Sequence, residues 1–286
     1  MSAPLENRLD ALSINGSLAD GTPCRTLRVD EVRRLSAELN VSGRAVEVAA
    51  LKQEIIPDRY LRNQKSLSIN DQIRLLESSV CIVGLGGLGG LVTDTLARTG
   101  VGRLQLVDGD RFEGHNLNRQ LLSDSEHLGL PKVEAAVNRV KMINPGIEVT
   151  AAEVFLEPDN AKDLIASSGL VVDCLDNIPS RFALETAAKY AGMPMVSAAI
   201  AGLSGHLTTI FPNDKGLVNI YGPEDQVTAT GGVELELGCL APGVNLVASL
   251  ACTETVKVLL KRNHILSGRL LVVDLSDYTF ETLKLG

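Results

Sequence analysis

Ser79-Val-Cys-Ile-Val-Gly84-Leu-Gly86-Gly87-Leu-Gly89-Gly-Leu-Val-Thr-Asp-Thr-Leu-Ala-Arg98 joins a short apolar run to a glycine turn and then to residues spaced as a helix. Val80 to Val83 has the length of a buried strand, and Gly84, Gly86 and Gly89 stand at GxGxxG spacing with Gly87 between them. Glycines here permit a tight turn, close approach of a phosphate to the backbone, and close packing of helix on strand, while the helix N-H groups favour an anion. About twenty residues on, Asp108 ends the next apolar run, where a carboxylate can accept hydrogen bonds from ribose hydroxyls. A dinucleotide and ATP fit this pattern equally, and a carboxylate that caps the following turn is the plain alternative for Asp108.

Outward from this turn the chain alternates. Strands are expected near Leu104–Asp108, Glu148–Phe155, Leu170–Asp173, Met195–Ala198 and Leu207–Phe211, with helices from Leu88, Lys132, Pro158 and Ser180 between them. Such alternation predicts an α/β fold, a Rossmann-like and mostly parallel sheet with helices on both faces. It stops at Pro212–Gly238, a glycine-rich acidic stretch long enough to be a lid or binding loop. A helix over Val244–Lys261 and an antiparallel hairpin of Arg269–Leu275 with Thr279–Leu285 close the chain. Upstream, Pro57 marks a boundary and Ile69–Leu76 reads as a short helix. Val29–Gln53 reads as two short helices parted at Ser42 and Gly43, and residues 1–25 as a loosely packed arm. The expected domains are therefore an N-terminal extension, 1–56, serving packing or dimerisation, and a nucleotide-binding domain, 57–286.

Bulk properties exclude some functions. A net charge of −8 disfavours partners recognised through phosphate backbones, so nucleic acid is not expected. Cys24, Cys81, Cys174, Cys239 and Cys252 are odd in number and form no CxxC pair, so reduced thiols are expected. The opening residues mix charges and Pro4 among single apolar residues with no apolar leader, and the longest apolar stretch, 240–260, carries Asn245, Glu254 and Lys257. These features predict a cytoplasmic chain without membrane attachment.

The segment Asp108-Gly-Asp-Arg-Phe-Glu-Gly-His-Asn-Leu-Asn-Arg-Gln120, followed by Gly129-Leu-Pro-Lys132-Val-Glu134, separates the nucleotide classes. It resembles the adenylation site of the ThiF/MoeB/HesA family, bacterial relatives of ubiquitin-activating enzymes: a D-x-D turn, then N-x-x-R-Q, then G-x-x-K-V/A-E. Arg59-Tyr-Leu-Arg62-Asn63 resembles the family's R-Y-x-R-Q opening, and Asp173-Cys-Leu-Asp176-Asn177 its D-C/A-x-D-N strand end. The likeness runs from about Asp58 to the C-terminus, leaving 1–56 outside it.

The resemblance implies an adenylyltransferase that uses ATP and Mg²⁺ to activate the C-terminal Gly-Gly carboxylate of a small ubiquitin-like sulfur carrier, as in molybdopterin or thiamine synthesis. It places Asp108, Asp110, His115, Asn116, Leu117, Asn118, Arg119, Gln120, Lys132, Asp176 and Asn177 around the nucleotide with the glycines. Arg119 and Lys132 would grip the phosphates, Asn116 order them, and Asp176 hold Mg²⁺. Arg62 would reach into a neighbouring subunit's site, which makes the expected enzyme a homodimer; the alternative is a surface arginine paired with Asp58 or Asp71. His115 also reads as a solvated loop residue. Asp173 serves the pocket or caps a turn, and Arg181 faces phosphate or solvent. A carboxylate ionised at roughly pH 3.5 needs no general base, so the site must supply positioning and positive charge.

Departures from the family pattern narrow the expectation. Many relatives hold zinc with two CxxC pairs, whereas the crossover here reads Lys215-Gly-Leu-Val-Asn-Ile-Tyr-Gly222, so no zinc is expected and Ile220 and Tyr221 should pack in its place. Pro212–Gly238 lacks the cysteine that thioester-forming relatives often carry, and Cys239, in Gly238-Cys-Leu-Ala-Pro242, reads as a buried structural thiol. The expected product is an acyl-adenylate passed to a separate sulfurtransferase. A family enzyme acting on a peptide or modified tRNA is a variant of this reading. A nicotinamide-dependent oxidoreductase would share Gly84–Asp108 but has no use for Asn116, Arg119, Lys132 and Asp176 together.

Overall fold

The computed structural model describes residues 2–227 and 237–286, so part of the stretch read as a lid lies outside the described residues. Contacts divide the chain into two units, one of Met1–Ser78, Leu96–Arg103 and Val140–Glu148, the other of Ser79–Thr95, Leu104–Arg139 and Val149–Gly286.

In the first unit, α1 (Ser2–Leu12) leads into β1 (Ile14–Ser17) and β2 (Pro23–Leu27), then α2 (Val29–Leu39), α3 (Gly43–Lys52) and β3 (Ile55–Pro57). The strands form a small sheet in the order β1-β2-β3, antiparallel then parallel. The break between α2 and α3 falls where expected, because Asn40 takes a left-handed conformation at the end of α2 and the Ser42 hydroxyl caps α3 by accepting from Ala45 N-H at 3.2 Å. The stretch read as a loosely packed arm is folded from Ser2 onward. Leu9 and Leu27 are fully buried with Leu35, Val46 and Ile55, so the opening helix and hairpin complete a core that the two later helices could not close alone. A 3₁₀ turn (Asp58–Tyr60) and α4 (Ile69–Glu77) follow, the helix started by a reciprocal Ser68–Asp71 capping box.

Wholly or mainly in the second unit lie β4 (Ser79–Val83), α5 (Gly87–Thr99), β5 (Arg103–Val107), α6 (Lys132–Ile143), β6 (Glu148–Ala152), α7 (Ala161–Ile165), β7 (Leu170–Asp173), α8 (Ile178–Tyr190) and β8 (Met195–Ala201). After these come β9 (Ser204–Ile210), α9 (Val218–Tyr221), α10 (Ala241–Leu259), β10 (Arg269–Asp274) and β11 (Thr279–Lys284). One eight-stranded sheet takes the order β11-β10-β9-β8-β7-β4-β5-β6. The α/β class and Rossmann-like core are as expected. The run Leu207–Phe211, read as one more strand of the alternation, instead pairs antiparallel to β8 as β9, and the terminal hairpin extends the sheet antiparallel from it. The cause is the link: Gly202, at φ +59°, turns the chain within two residues, whereas a parallel pair needs a crossover of a dozen or more. The expected strand 148–155 also stops at Ala152, and Phe155 turns back to lie against Gly109.

The sheet's central strands are mostly apolar. Val80, Ile82, Val171 and Val172 are fully buried, each stabilising the fold by about 1.5–3 kcal/mol, so the ends of β4 and β7 are firmly fixed. Because β4 connects to β5 on one side and lies beside β7 on the other, the strand order reverses there, and the crevice beyond the strand ends is where such sheets bind ligands.

Candidate active site

Gly84 leaves β4 at φ +86°, and a Cβ there would stand 2.7 Å from the Cys174 carbonyl oxygen. At Gly89 an added Cβ would fall 1.7 Å from Gly84 O, so this turn accepts no side chain at either position. The end of β7 thus lies directly against the glycine turn. So does the 119–122 segment: an added Cβ would meet Gln120 Nε2 at 3.6 Å from Gly86, and Arg119 O at 3.6 Å from Gly87. Val244 of α10, a neighbour that sequence reading missed, crowds Gly87 at 2.9 Å.

Asp108 sits just past β5 and uses both oxygens on the backbone. Leu85 N-H donates to Oδ2 at 2.6 Å and Asp110 N-H to Oδ1 at 2.7 Å, which ties the strand end to the glycine turn and leaves each oxygen a lone pair for a further donor. Burial pushes its carboxyl above the usual carboxylate range, opposed by the Lys132 charge. Lys132 begins α6 with its side chain only 7% exposed, and its Nζ donates to Asp110 Oδ2 at 2.8 Å while its N-H donates to Asp110 O at 3.0 Å. A buried ammonium held by one half-exposed carboxylate is a cation ready to accept a second anion.

Asn116 is buried and shapes its own turn. Its Oδ1 accepts from Glu113 N-H at 2.9 Å, and its carbonyl accepts from the N-H groups of Arg119 and Gln120. Arg119 is half-buried, its guanidinium donating to His115 O at 3.2 Å and Asn118 Oδ1 at 2.9 Å. His115, Leu117 and Asn118 are exposed; His115 faces Glu113 at 3.4 Å, and Asn118 Nδ2 donates to Cys239 O at 3.3 Å. Gln120 is buried, and its Oε1 has no hydrogen-bond partner among the described residues. Such an orphan beside an anion cradle is what a polar ligand would satisfy.

Beyond β7, Asp176 is exposed and has no hydrogen-bond or ion-pair partner among the described residues, while Asn177 caps α8 by accepting from Ser180 N-H at 2.9 Å. The loop carrying them is fixed from beneath. Asp173, read as a pocket or turn-capping carboxylate, does cap the turn by accepting from Leu175 N-H at 3.1 Å, and it forms a buried ion pair with Arg181 at 2.7 Å, the side chains 0% and 6% exposed. Arg181 also donates to Ala198 O at 3.0 Å and to Leu175 O, and Ser197 Oγ-H donates to Asp173 at 2.6 Å. Arg181 therefore faces neither phosphate nor solvent; its place is set by the long-range pairing of β7 with β8, which no local pattern shows.

Arg62 lies in the first unit, exposed and without a partner among the described residues. Asp71, weighed as its partner, is engaged in the cap of α4. Cys81, Cys174 and Cys252 are buried as expected, and all five cysteines are free. Cys239, expected to be buried, is half-buried, because the chain passes it along the sheet margin bridged to Gly202. Ile220 and Tyr221 pack against the core of the second unit, and Tyr221 OH lies 3.2 Å from His206 Nε2. No described helix is long and apolar enough to cross a membrane.

A Rossmann-type switch point, a glycine turn closed to side chains at Gly84 and Gly89, the Asp108 carboxylate tied to that turn and the nearby buried Lys132 define an α/β protein with a polar crevice at its strand ends. More narrowly, the chain belongs to the ThiF family, whose pattern matches residues 60–286. It is 38% identical over 233 residues to the SAMP-activating enzyme E1 of Haloferax volcanii, covering 79% of this chain and 84% of that protein. It is 34% identical over 226 residues to the molybdopterin-synthase adenylyltransferase of Escherichia coli, covering 77% and 88%. The crystal structure of PaaA superposes with a TM-score of 0.65 over 96% of this chain and 99% of its own, at 19% identity, which shows a shared fold.

Proposed function

We propose that this protein is an ATP-dependent adenylyltransferase that activates the C-terminal carboxylate of a small ubiquitin-like sulfur carrier ending in Gly-Gly, forming an acyl-adenylate and releasing pyrophosphate. The observation that carries this reading is the cradle itself: a glycine turn that admits no side chain at Gly84 or Gly89, touched by the 119–122 segment and by the end of β7, with buried Lys132 bound to the turn that Asp108 fixes. Its relatives named as an adenylyltransferase and as a SAMP-activating enzyme support it.

The chemistry follows from charge. An ionised carboxylate meeting a triphosphate builds a crowded anionic transition state, and donors fixed beforehand stabilise it without reorganising. Lys132 and Arg119 supply that charge, Gln120 and Asn116 order the phosphates, and Asp108 holds the ribose. Asp176, unpartnered beyond β7, would hold Mg²⁺, which supplies charge neutralisation across the phosphate oxygens. Arg62 acts on the nucleotide site of a second copy, giving a homodimer, and a separate sulfurtransferase consumes the adenylate. Residues 57–286 form the adenylation domain and 1–56 an extension. Five free cysteines suit a reducing cytoplasm.

Pyrophosphate exchange into ATP, driven by ubiquitin-like carriers of the source organism, tests this. Lys132→Ala or Arg119→Ala should lower exchange about 100-fold or more, and mixing Arg62→Ala with Lys132→Ala protein should restore part of it. Absent exchange with every carrier, together with tight NAD binding, would sink the reading.

A further inference from the structure

The turn that carries Arg62 is held by charges and hydrogen bonds that the nucleotide chemistry does not use. Arg59, three residues before it, is 11% exposed, and its Nε lies 2.8 Å from Oε1 of Glu47, whose side chain is fully buried on α3. Tyr60, also fully buried, donates its hydroxyl to Glu47 Oε2 at 3.0 Å and accepts from Asn144 Nδ2 at 2.8 Å. Arg59 Nη1 donates to Ile143 O at 3.1 Å. On the other side of Arg62, Asn63 donates to Gln72 at 2.9 Å, and the buried Gln72 amide donates to Thr99 O at 3.0 Å. Gly100, at φ +92°, leaves room for this arrangement, since a Cβ there would stand 2.7 Å from the Tyr60 ring.

A buried ion pair adds little or nothing to stability over apolar packing, so its presence asks for another explanation. Here three groups flanking Arg62 are pinned while Arg62 itself is exposed and unpartnered among the described residues. Guanidinium recognition of phosphate depends on direction, and loss of about 1 Å in placement can lower a rate about 100-fold. Glu47 belongs to the N-terminal extension, outside the residues matched to the family.

We propose that Glu47 is a positioning residue: the extension supplies a buried carboxylate that fixes the Arg59–Tyr60 turn and thereby the direction in which Arg62 is presented. The proposal rests on the reading of Arg62 given above. Its effect must travel through Arg62, and that is what distinguishes it from general support of the fold.

The test is a double-mutant cycle on the full chain, read by pyrophosphate exchange with the carrier that drives wild-type exchange best. Glu47→Gln keeps the shape and an acceptor for Tyr60 but removes the charge facing Arg59. It should lower kcat roughly tenfold or more with a smaller change in KM for ATP. In an Arg62→Ala background the same substitution should change kcat less than about twofold, while its shift in melting temperature is the same in both backgrounds. If Glu47→Gln protein does not fold, Arg59→Lys tests the same link. Full exchange in Glu47→Gln alongside impaired Arg62→Ala overturns the proposal alone, as does an equal loss in both backgrounds. Wild-type exchange in Arg62→Ala removes the arginine reading and the proposal with it.

Discussion

Arg181→Met severs the buried pair beneath the Asp176 loop and leaves Asp173, whose side chain is fully buried, without a counter-charge. Breaking such a pair by removing one partner destabilises a protein by about 3–5 kcal/mol. Asp173 keeps two donors, Ser197 Oγ-H at 2.6 Å and Leu175 N-H at 3.1 Å, which places the expected loss in the lower part of that range, about 3–4 kcal/mol. Ala198 O and Leu175 O lose their guanidinium donor at the same time. Urea unfolding followed by circular dichroism measures the loss. Arg181→Met combined with Asp173→Asn, which removes the stranded charge but retains an acceptor, should recover about 2 kcal/mol or more. A single variant within about 1 kcal/mol of wild type, or a double variant as unstable as the two single changes added together, would refute the account of Arg181 as the clamp of this loop.

Two further outcomes follow from burial. His206, beside Tyr221, is pushed down from 6.5 to about 4, chiefly by burial and then by the Arg181 charge. Because its folded value lies below its unfolded one, the stability tied to neutral His206 is full above 6.5 and is lost as pH falls towards 4, by up to about 3 kcal/mol. Urea midpoints of His206→Asn should fall less than those of wild type across that window; equal slopes would count against the assignment. Burial also pushes the Cys81 and Cys252 thiols up to about 12 and raises Cys174. Iodoacetamide at about pH 8 should therefore label Cys24 and Cys239 in the native protein and spare those three. Prompt native labelling of Cys81, read by mass spectrometry, would contradict the packing of β4.

Local chemistry made much of this protein readable in advance. Strand Ser79–Val83, its glycine turn and the start of α5 could be placed because the turn demands residues without side chains, and such a demand is written directly in the sequence. Asp108 was singled out by its place about twenty residues past the glycine turn, and Asn116, Arg119, Lys132 and Asp176 by motifs that resemble the ThiF/MoeB/HesA pattern. The break between α2 and α3 was legible for the same reason, since Asn40 and Ser42 act on their immediate neighbours. What tertiary structure decided was everything that depends on partners far along the chain. Leu9 and Leu27 gain a core, making a folded element of an apparent loose arm, only when they meet Leu35, Val46 and Ile55. Arg181 becomes a clamp because β8 brings Ser197 and Ala198 beside Asp173, and Glu47 meets Arg59 and Tyr60 across a fold of the first unit. A charged residue in isolation reads as solvated, and burial with an opposite charge is a property of the assembled fold.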